Sequence, residues 1–379
     1  MNEYLSRKIK VLSFLSIILV LYLHSSIGGE FVFWKITESA GPVNNIVVLF
    51  LSQGITRIAV PLFMLISGYL FFRNVSCVGQ ITNKYKSRLR TLVVPFFFWE
   101  FLWVLIIMGV VFLGTKAGLV NDSFRQTVYA DDLVWGQSLL MAILRPVPVW
   151  QLWFLRDLIC LVIISPIIYY LTKSLKLVPV LSLIAILSYI FINGDICYKF
   201  FEGCYLNRSS SSVVFFMIGA YFAICNQKIV LKKCINKNLP LLLGVIWSLS
   251  LLVRAYLSCV NESYYISCMS FQLSVLAGIL FVWTGYDIVA ERYRLDWLNE
   301  YLPYTFFVYC FHIPIMTYLS ILLRFGILKV LFGLAPQTGI VYLLDYFITP
   351  VLVFFIAIIV AKVSKKYVPG LYNISTGGR

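Results

Sequence analysis

Residues 11–26 read VLSFLSIILVLYLHSS, and apolar runs of this kind recur along the whole chain. Each is of helix length; a strand of a membrane barrel would be about 10 residues with strict apolar/polar alternation. Of the 379 residues, 61% are hydrophobic and 12% charged, where a soluble domain is about half apolar and about a quarter charged. That much apolar surface does not fit inside a water-soluble globule of this length. A cytosolic enzyme, a disordered chain, a collagen-like chain and a small disulfide scaffold are therefore excluded. In hydrocarbon no water bonds the backbone, so only helices and closed barrels satisfy their own N–H and C=O groups. The chain reads as an all-α, polytopic membrane protein whose first partner is the lipid bilayer.

Hydropathy places about ten spans in one bundle, roughly at 9–27, 46–72, 91–113, 150–171, 178–194, 212–226, 239–258, 268–286, 302–324 and 341–361. They form a single integral-membrane domain over 1–379, with its core at 9–362 and a tail at 362–379. The first span has a basic start, but its apolar stretch is long and no A-x-A-like site follows, so it reads as a retained span rather than a cleaved signal. The net charge is +15, from 31 Lys+Arg against 16 Asp+Glu. In a soluble protein that excess would raise nucleic acid as a partner; here it reads as the basic bias of cytoplasmic loops. Arg7, Lys8 and Lys10 precede span one, and Arg73, Lys84, Lys86, Arg88 and Arg90 separate spans two and three. Lys228, Lys232, Lys233 and Lys237 separate spans six and seven, and Lys362, Lys365, Lys366 and Arg379 end the chain. About 20 Lys/Arg fall on this side and about 8 on the other, which predicts both termini in the cytoplasm.

A charge at mid-bilayer costs about 2.5–3.5 kcal/mol on insertion scales, so each one is a functional candidate. The inventory is His24, Arg57, Glu100, Arg156, Asp157, Arg254, His312 and Asp345. His24 lies fourteen residues past Lys10, roughly 21 Å along a helix, near the outer end of span one. His312 lies near the middle of span nine, two residues before Pro314. The chain has two histidines and both fall inside spans; imidazole titrates near neutrality and is the usual general base. For either ring the structural alternative is a hydrogen bond to a neighbouring helix. Arg57 and Glu100 read either as a bundle salt bridge or as the lining of a polar cavity, and the desolvation cost of a buried pair favours the cavity.

The segment KYKSRLRTLVVP (84–95) sets Lys84, Lys86, Arg88 and Arg90 in alternation ahead of an apolar helix. By composition it is a positive-inside loop; guanidinium forks also suit phosphates, such as those of coenzyme A. The nine cysteines form no C-x-x-C pair, which gives zinc and thioredoxin chemistry no support. Cys197/Cys204 and Cys259/Cys268 flank loops where a disulfide is an open alternative. No His/Asp/Glu cluster has metal-ligand spacing, so no metal is expected.

Several words, in order, carry a family resemblance. IKVLSFLSIILVLYLHSS, with His24 closing the span, resembles the first helix of the membrane acyltransferase 3 family. ITRIAVPLFMLISGYLFFRN (55–74) is similar to its Arg-x-x-Val-Pro-Leu-Phe…Ser-Gly-Tyr second helix, and KYKSRLRTLVVPFFFW (84–99) to its basic loop and Pro-containing third helix. WQLWFLRDLICLVIISPIIYYL (150–171) resembles its Leu-Trp-Phe-Leu helix, and FFMIGAYFA (215–223) and YTFFVYCFHIPI (304–315) resemble later landmarks. The chain departs from the pattern at Ser13, where many members carry a basic residue, and at Gln151, where relatives often have histidine.

The resemblance implies transfer of an acyl group, usually acetyl, from cytoplasmic acyl-CoA to a hydroxyl of a surface polysaccharide or lipid-linked sugar, in a bacterial inner membrane. It implies His24 as general base, with an acyl-histidine relay as the alternative, and Arg57 and Glu100 beside it in the catalytic set. Arg57 or Arg156 would stabilise the oxyanion. Lys86, Arg88 and Arg90 would take the donor phosphates, and Trp153, Arg156, Asp157 and His312 the substrate. The competing class is a transporter or flippase of a glycan or lipid-linked sugar, with which charged residues in a helical bundle are also compatible. The residues leave open the acceptor sugar and the length of the acyl group.

Overall fold

The computed structural model describes residues 2–25, 47–116, 150–174, 210–259, 264–336 and 338–379. In chain order the main helices are α1 (Glu3–His24), α2 (Ala59–Phe72), α3 (Gly79–Arg88), α4 (Val94–Lys116), α5 (Trp153–Ile163) and α6 (Ser165–Ser174). They continue with α7 (Ser210–Ile224), α8 (Asn238–Cys259), α9 (Tyr264–Arg292), α10 (Thr305–Ile321), α11 (Gly339–Tyr367) and α12 (Pro369–Thr376). Among the described residues there is no strand.

Among the described residues five stretches are long and apolar enough to cross a bilayer: Phe50–Phe72, Gly79–Ile106, Ser270–Arg292, Leu302–Phe332 and Gly339–Tyr367. A sixth crossing is available if α5 and α6, bent by 62° at Ile164, act as one broken span. The protein is thus multi-pass. The expected span at 178–194, the connection at 117–149 and the pair Cys197/Cys204 lie outside the described residues.

The chain clusters into two compact units, Met1–Asn74 with Phe215–Lys362, and Val75–Val214 with Val363–Arg379. In the first unit α1 starts on an Asn2 cap, whose side-chain oxygen accepts the Leu5 N–H at 2.8 Å, with Glu3 in the first turn. That pairing satisfies one of the orphan donors of a helix start and suits its positive end. α1 packs on α2 and α10, and α8 lies along α9. α2 and α7 approach each other closely. A Cβ added at Gly68 would stand 2.1 Å from the Phe216 carbonyl oxygen, and one at Gly219 would stand 2.1 Å from the Leu65 oxygen. The glycines of the ISGYL and MIGAY words therefore let two backbones touch, the usual role of small residues between membrane helices.

In the second unit a π-helical turn, Leu89–Val93, joins α3 to α4. Pro95 has no N–H to give the Thr91 carbonyl four residues back. That oxygen accepts instead from Arg379 Nη2 at 2.8 Å, as the chain end folds back over the turn. Trp99 Nε1 donates to the Ser375 carbonyl at 2.9 Å and fixes α12 beside α4. Gly377, at φ +69°, closes α12 with its Cα hydrogen against the backbone of Thr91, where a Cβ would stand 2.6 Å from the Thr91 Cα; both its conformation and its contact require glycine. Tyr85 on α3 donates to the Ile163 carbonyl at 3.0 Å, at the break between α5 and α6.

Candidate functional site

His24 is the last residue of α1, and its backbone is held by neighbours on both sides. The Ser25 N–H returns to the Leu21 carbonyl at 2.9 Å, and Ser25 Oγ donates to the Tyr346 carbonyl at 2.8 Å. That carbonyl is available because Pro350 in α11 has no N–H for it. Ser52 Oγ donates to the Tyr22 carbonyl at 3.0 Å and meets the Tyr346 hydroxyl at 2.9 Å. Three segments of the first unit thus converge on the end of α1: the π-helical turn Val48–Ser52, α10 and α11.

The second span enters as a broken helix. The π-helical turn Val48–Ser52 gives way to a 3₁₀ turn, Ile55–Ile58, before α2 begins at Ala59. The apolar sequence predicts one continuous span here; the structure divides it, with Arg57 on the 3₁₀ turn rather than in a regular helix. Such interruptions recur at functional sites. Arg57 Nη2 donates to Gln53 Oε1 one turn back, and the turn that carries it packs on α1.

The second histidine joins the first. The ring centroids of His24 and His312 are 5.3 Å apart with planes inclined at 32°. His312 lies inside α10 and is fully buried, whereas His24 is half-buried. Nδ1 of His312 faces the carbonyl of Tyr309 in hydrogen-bond contact. A carbonyl oxygen only accepts, so Nδ1 carries the hydrogen, and in the neutral ring Nε2 holds the lone pair. No described residue hydrogen-bonds to that Nε2. The first unit therefore brings together His24, Arg57 and His312.

Apart from Arg254 and Asp345, which lie in the first unit, the remaining sequence candidates belong to the second unit. Glu100 is half-buried on α4. Arg156 and Asp157, both buried on α5, form an ion pair at 3.1 Å, with the half-buried Trp153 opening the same helix. Lys86 and Arg90 are exposed and Arg88 is half-buried, on α3 and the π-helical turn that follows. Asp345 is held in α11: its two oxygens accept from Ser320 and Thr349, each at 2.5 Å. Among the described residues no three His, Cys, Asp or Glu side chains form a cluster suited to a metal ion.

One buried pair is missed by the sequence. Lys8, read there as a loop cation, is 1% exposed and donates to Asp287 Oδ1 at 2.6 Å. Tyr4 donates to the same oxygen at 2.7 Å and the Cys234 N–H to Oδ2 at 2.8 Å, while the ammonium lies 4.4 Å from the Trp283 ring centroid. Asp287 directly follows the expected span at 268–286, where a single acid carries no signal of its partner.

A multi-pass helical bundle with two imidazoles and a guanidinium grouped at a helix end, and a separate basic segment, has the parts of a membrane-embedded group-transfer enzyme. The family model described as "Acyltransferase domain" matches residues 7–362, and the chain belongs to that acyltransferase family. It is 24% identical over 335 residues to the succinoglycan biosynthesis protein ExoH of Rhizobium meliloti (strain 1021), covering 87% of this chain and 82% of that one. No solved structure matches.

Proposed function

We propose that this protein is a bacterial inner-membrane O-acyltransferase. It moves an acyl group, acetyl in the first instance, from cytoplasmic acyl-CoA to a hydroxyl of a surface polysaccharide or its lipid-linked precursor. The observation that carries this reading is the pairing of His24 with His312 at the end of α1, a helix on which the Arg57 turn also packs. The family, and the relative's part in succinoglycan biosynthesis, support the reaction class and the kind of acceptor.

His24 acts as general base. It takes the proton of the acceptor hydroxyl as the oxygen attacks the thioester carbonyl. Arg57 stabilises the oxyanion that forms. Collapse of the tetrahedral intermediate breaks the C–S bond, and the thiolate of CoA leaves and recovers the proton. The phosphates of the donor are assigned to Lys86, Arg88 and Arg90, whose forks and ammonium suit them. Through the family resemblance Glu100 is assigned to the catalytic set, and Trp153 and the Arg156–Asp157 pair to substrate. The Lys/Arg bias supports cytoplasmic termini.

The test is the O-acetyl content of surface glycan, by NMR, in a deletion strain carrying wild type or His24→Ala at equal membrane levels. Acetyl signal returns with the wild type, and falls by roughly 10²–10⁴ with the variant, the span of a lost general base. Full acetylation by His24→Ala would make His24 structural. A deletion that exports less glycan, with no acetyl signal in any strain, would point instead to a transporter.

A further inference from the structure

Taking a proton makes His24 an imidazolium, and the turn that carries the Arg57 guanidinium packs on the same helix. Like charges repel strongly away from water, so a second place for the proton lowers the cost. The structure offers a second place for that charge. His312 lies on α10, one of the elements that meet the end of α1, with its ring centroid 5.3 Å from that of His24. At that spacing a modest ring rotation brings nitrogens of the two rings within range of an N–H···N bond.

The protonation pattern of His312 is set by its own helix. Nδ1–H is committed to the Tyr309 carbonyl. Nε2 is therefore the basic nitrogen, and it is buried with no hydrogen-bond partner among the described residues. A buried acceptor left unsatisfied is costly, so native structures rarely carry one without a use. The neighbouring polar groups contrast with it: Ser25, Ser52 and Tyr346 are all bonded. Protonation at Nε2 would give His312 a full charge and so strengthen its Nδ1–H···O bond to Tyr309.

Building on the acyltransferase reading, we propose that His312 is the terminal proton acceptor of a two-imidazole relay. One ring nitrogen of His24 takes the hydroxyl proton, and the opposite ring nitrogen of His24 passes its own proton to Nε2 of His312. The O–H bond of the acceptor breaks and an N–H bond forms on His24. The second N–H bond of His24 breaks and one forms on His312. When the C–S bond breaks, the proton returns by the same path to the CoA thiolate. His24 thus stays neutral, and the positive charge rests on the second ring against the Tyr309 carbonyl dipole.

The experiment uses inverted membrane vesicles holding the full-length protein, with acetyl-CoA and base-de-O-acetylated surface polysaccharide of the host strain as probes. The readout is polysaccharide-dependent CoA release. His312→Asn keeps a short amide donor for Tyr309 and lacks the Nε2 acceptor. The expected result is a fall in kcat of about a hundredfold, with KM for acetyl-CoA within about twofold. In His312→Ala, added imidazole restores CoA release. A wild-type rate in His312→Asn overturns the relay. So does a loss of rate that imidazole does not restore in His312→Ala, because packing alone would then explain it. If His312→Asn also loses folded protein, the imidazole arm still decides. A wild type without polysaccharide-dependent CoA release defeats the parent reading instead, and the relay with it.

Discussion

The two ends of α1 present the same problem with opposite solutions. At one end Lys8 is buried, and its partner Asp287 has every described contact satisfied, by the ammonium, the Tyr4 hydroxyl and the Cys234 N–H. At the other end His24 meets His312, whose Nε2 is buried without a bonded partner among the described residues. A completed polar cluster fixes helices in place and has no capacity left for chemistry. An incomplete one costs stability and keeps an acceptor available. The contrast marks the lysine end as architectural and is the reason the proposed chemistry is placed at the histidine end.

The largest effect expected is on the closed end. Lys8→Ala strands the Asp287 carboxylate in a buried site and lowers stability by about 3–5 kcal/mol, read as a fall in thermal midpoint of the full chain in detergent. Pairing Lys8→Met with Asp287→Asn recovers part of the loss, because the amide oxygen still accepts a hydrogen bond. If Lys8→Ala melts like the wild type, the closed end is not architectural and the comparison fails.

The donor side comes next. Arg88→Ala with Arg90→Ala removes guanidiniums worth about 1.5–3 kcal/mol each when they bond a charged group. KM for acetyl-CoA should rise at least tenfold while kcat changes little; an unchanged KM would remove the basic segment from the donor site. Smaller again is Ser52→Ala, which releases the Tyr22 carbonyl and the Tyr346 hydroxyl. Its expected cost is about 1 kcal/mol, with a lower kcat because the end of α1 loosens. An intact kcat would show that His24 needs no tether from that side.

The smallest effect lies in the loop before α10. Arg7 hydrogen-bonds Asp296 at 2.6 Å and, with Arg294 nearby, holds its carboxyl below the ordinary 3.8. A depressed carboxylate contributes stability above its ordinary value and loses it as pH falls through the lowered one. Asp296→Asn should therefore lower the melting temperature slightly at neutral pH, with the difference from wild type vanishing in strong acid. The pair is exposed and screened, so added salt should erase most of the difference.

Some of the site was legible beforehand. His24 and His312 stand out because the chain has two histidines and both lie in apolar runs, where a polar side chain needs a reason. Gly68 and Gly219 were visible in their words, although only the backbone approach of α2 and α7 gives them a role. The break around Gly54 was not visible, since apolar residues continue through 46–72 and hydropathy does not register a change from π to 3₁₀ turns. Nor was the Lys8–Asp287 pair, whose members are 279 residues apart.

By itself the sequence determined the solvent, the helical class and the basic side of this protein, because each follows from composition and from the length of apolar runs. It also singled out the residues too polar for their depth. The tertiary structure alone decided which of those residues meet. It joined the two histidines, packed the Arg57 turn on α1, and closed Lys8 onto Asp287. Periodicity within a helix fixes which face a side chain occupies, but partners from opposite ends of the chain are chosen by packing, where proline-freed carbonyls and glycine contacts set how closely the helices approach.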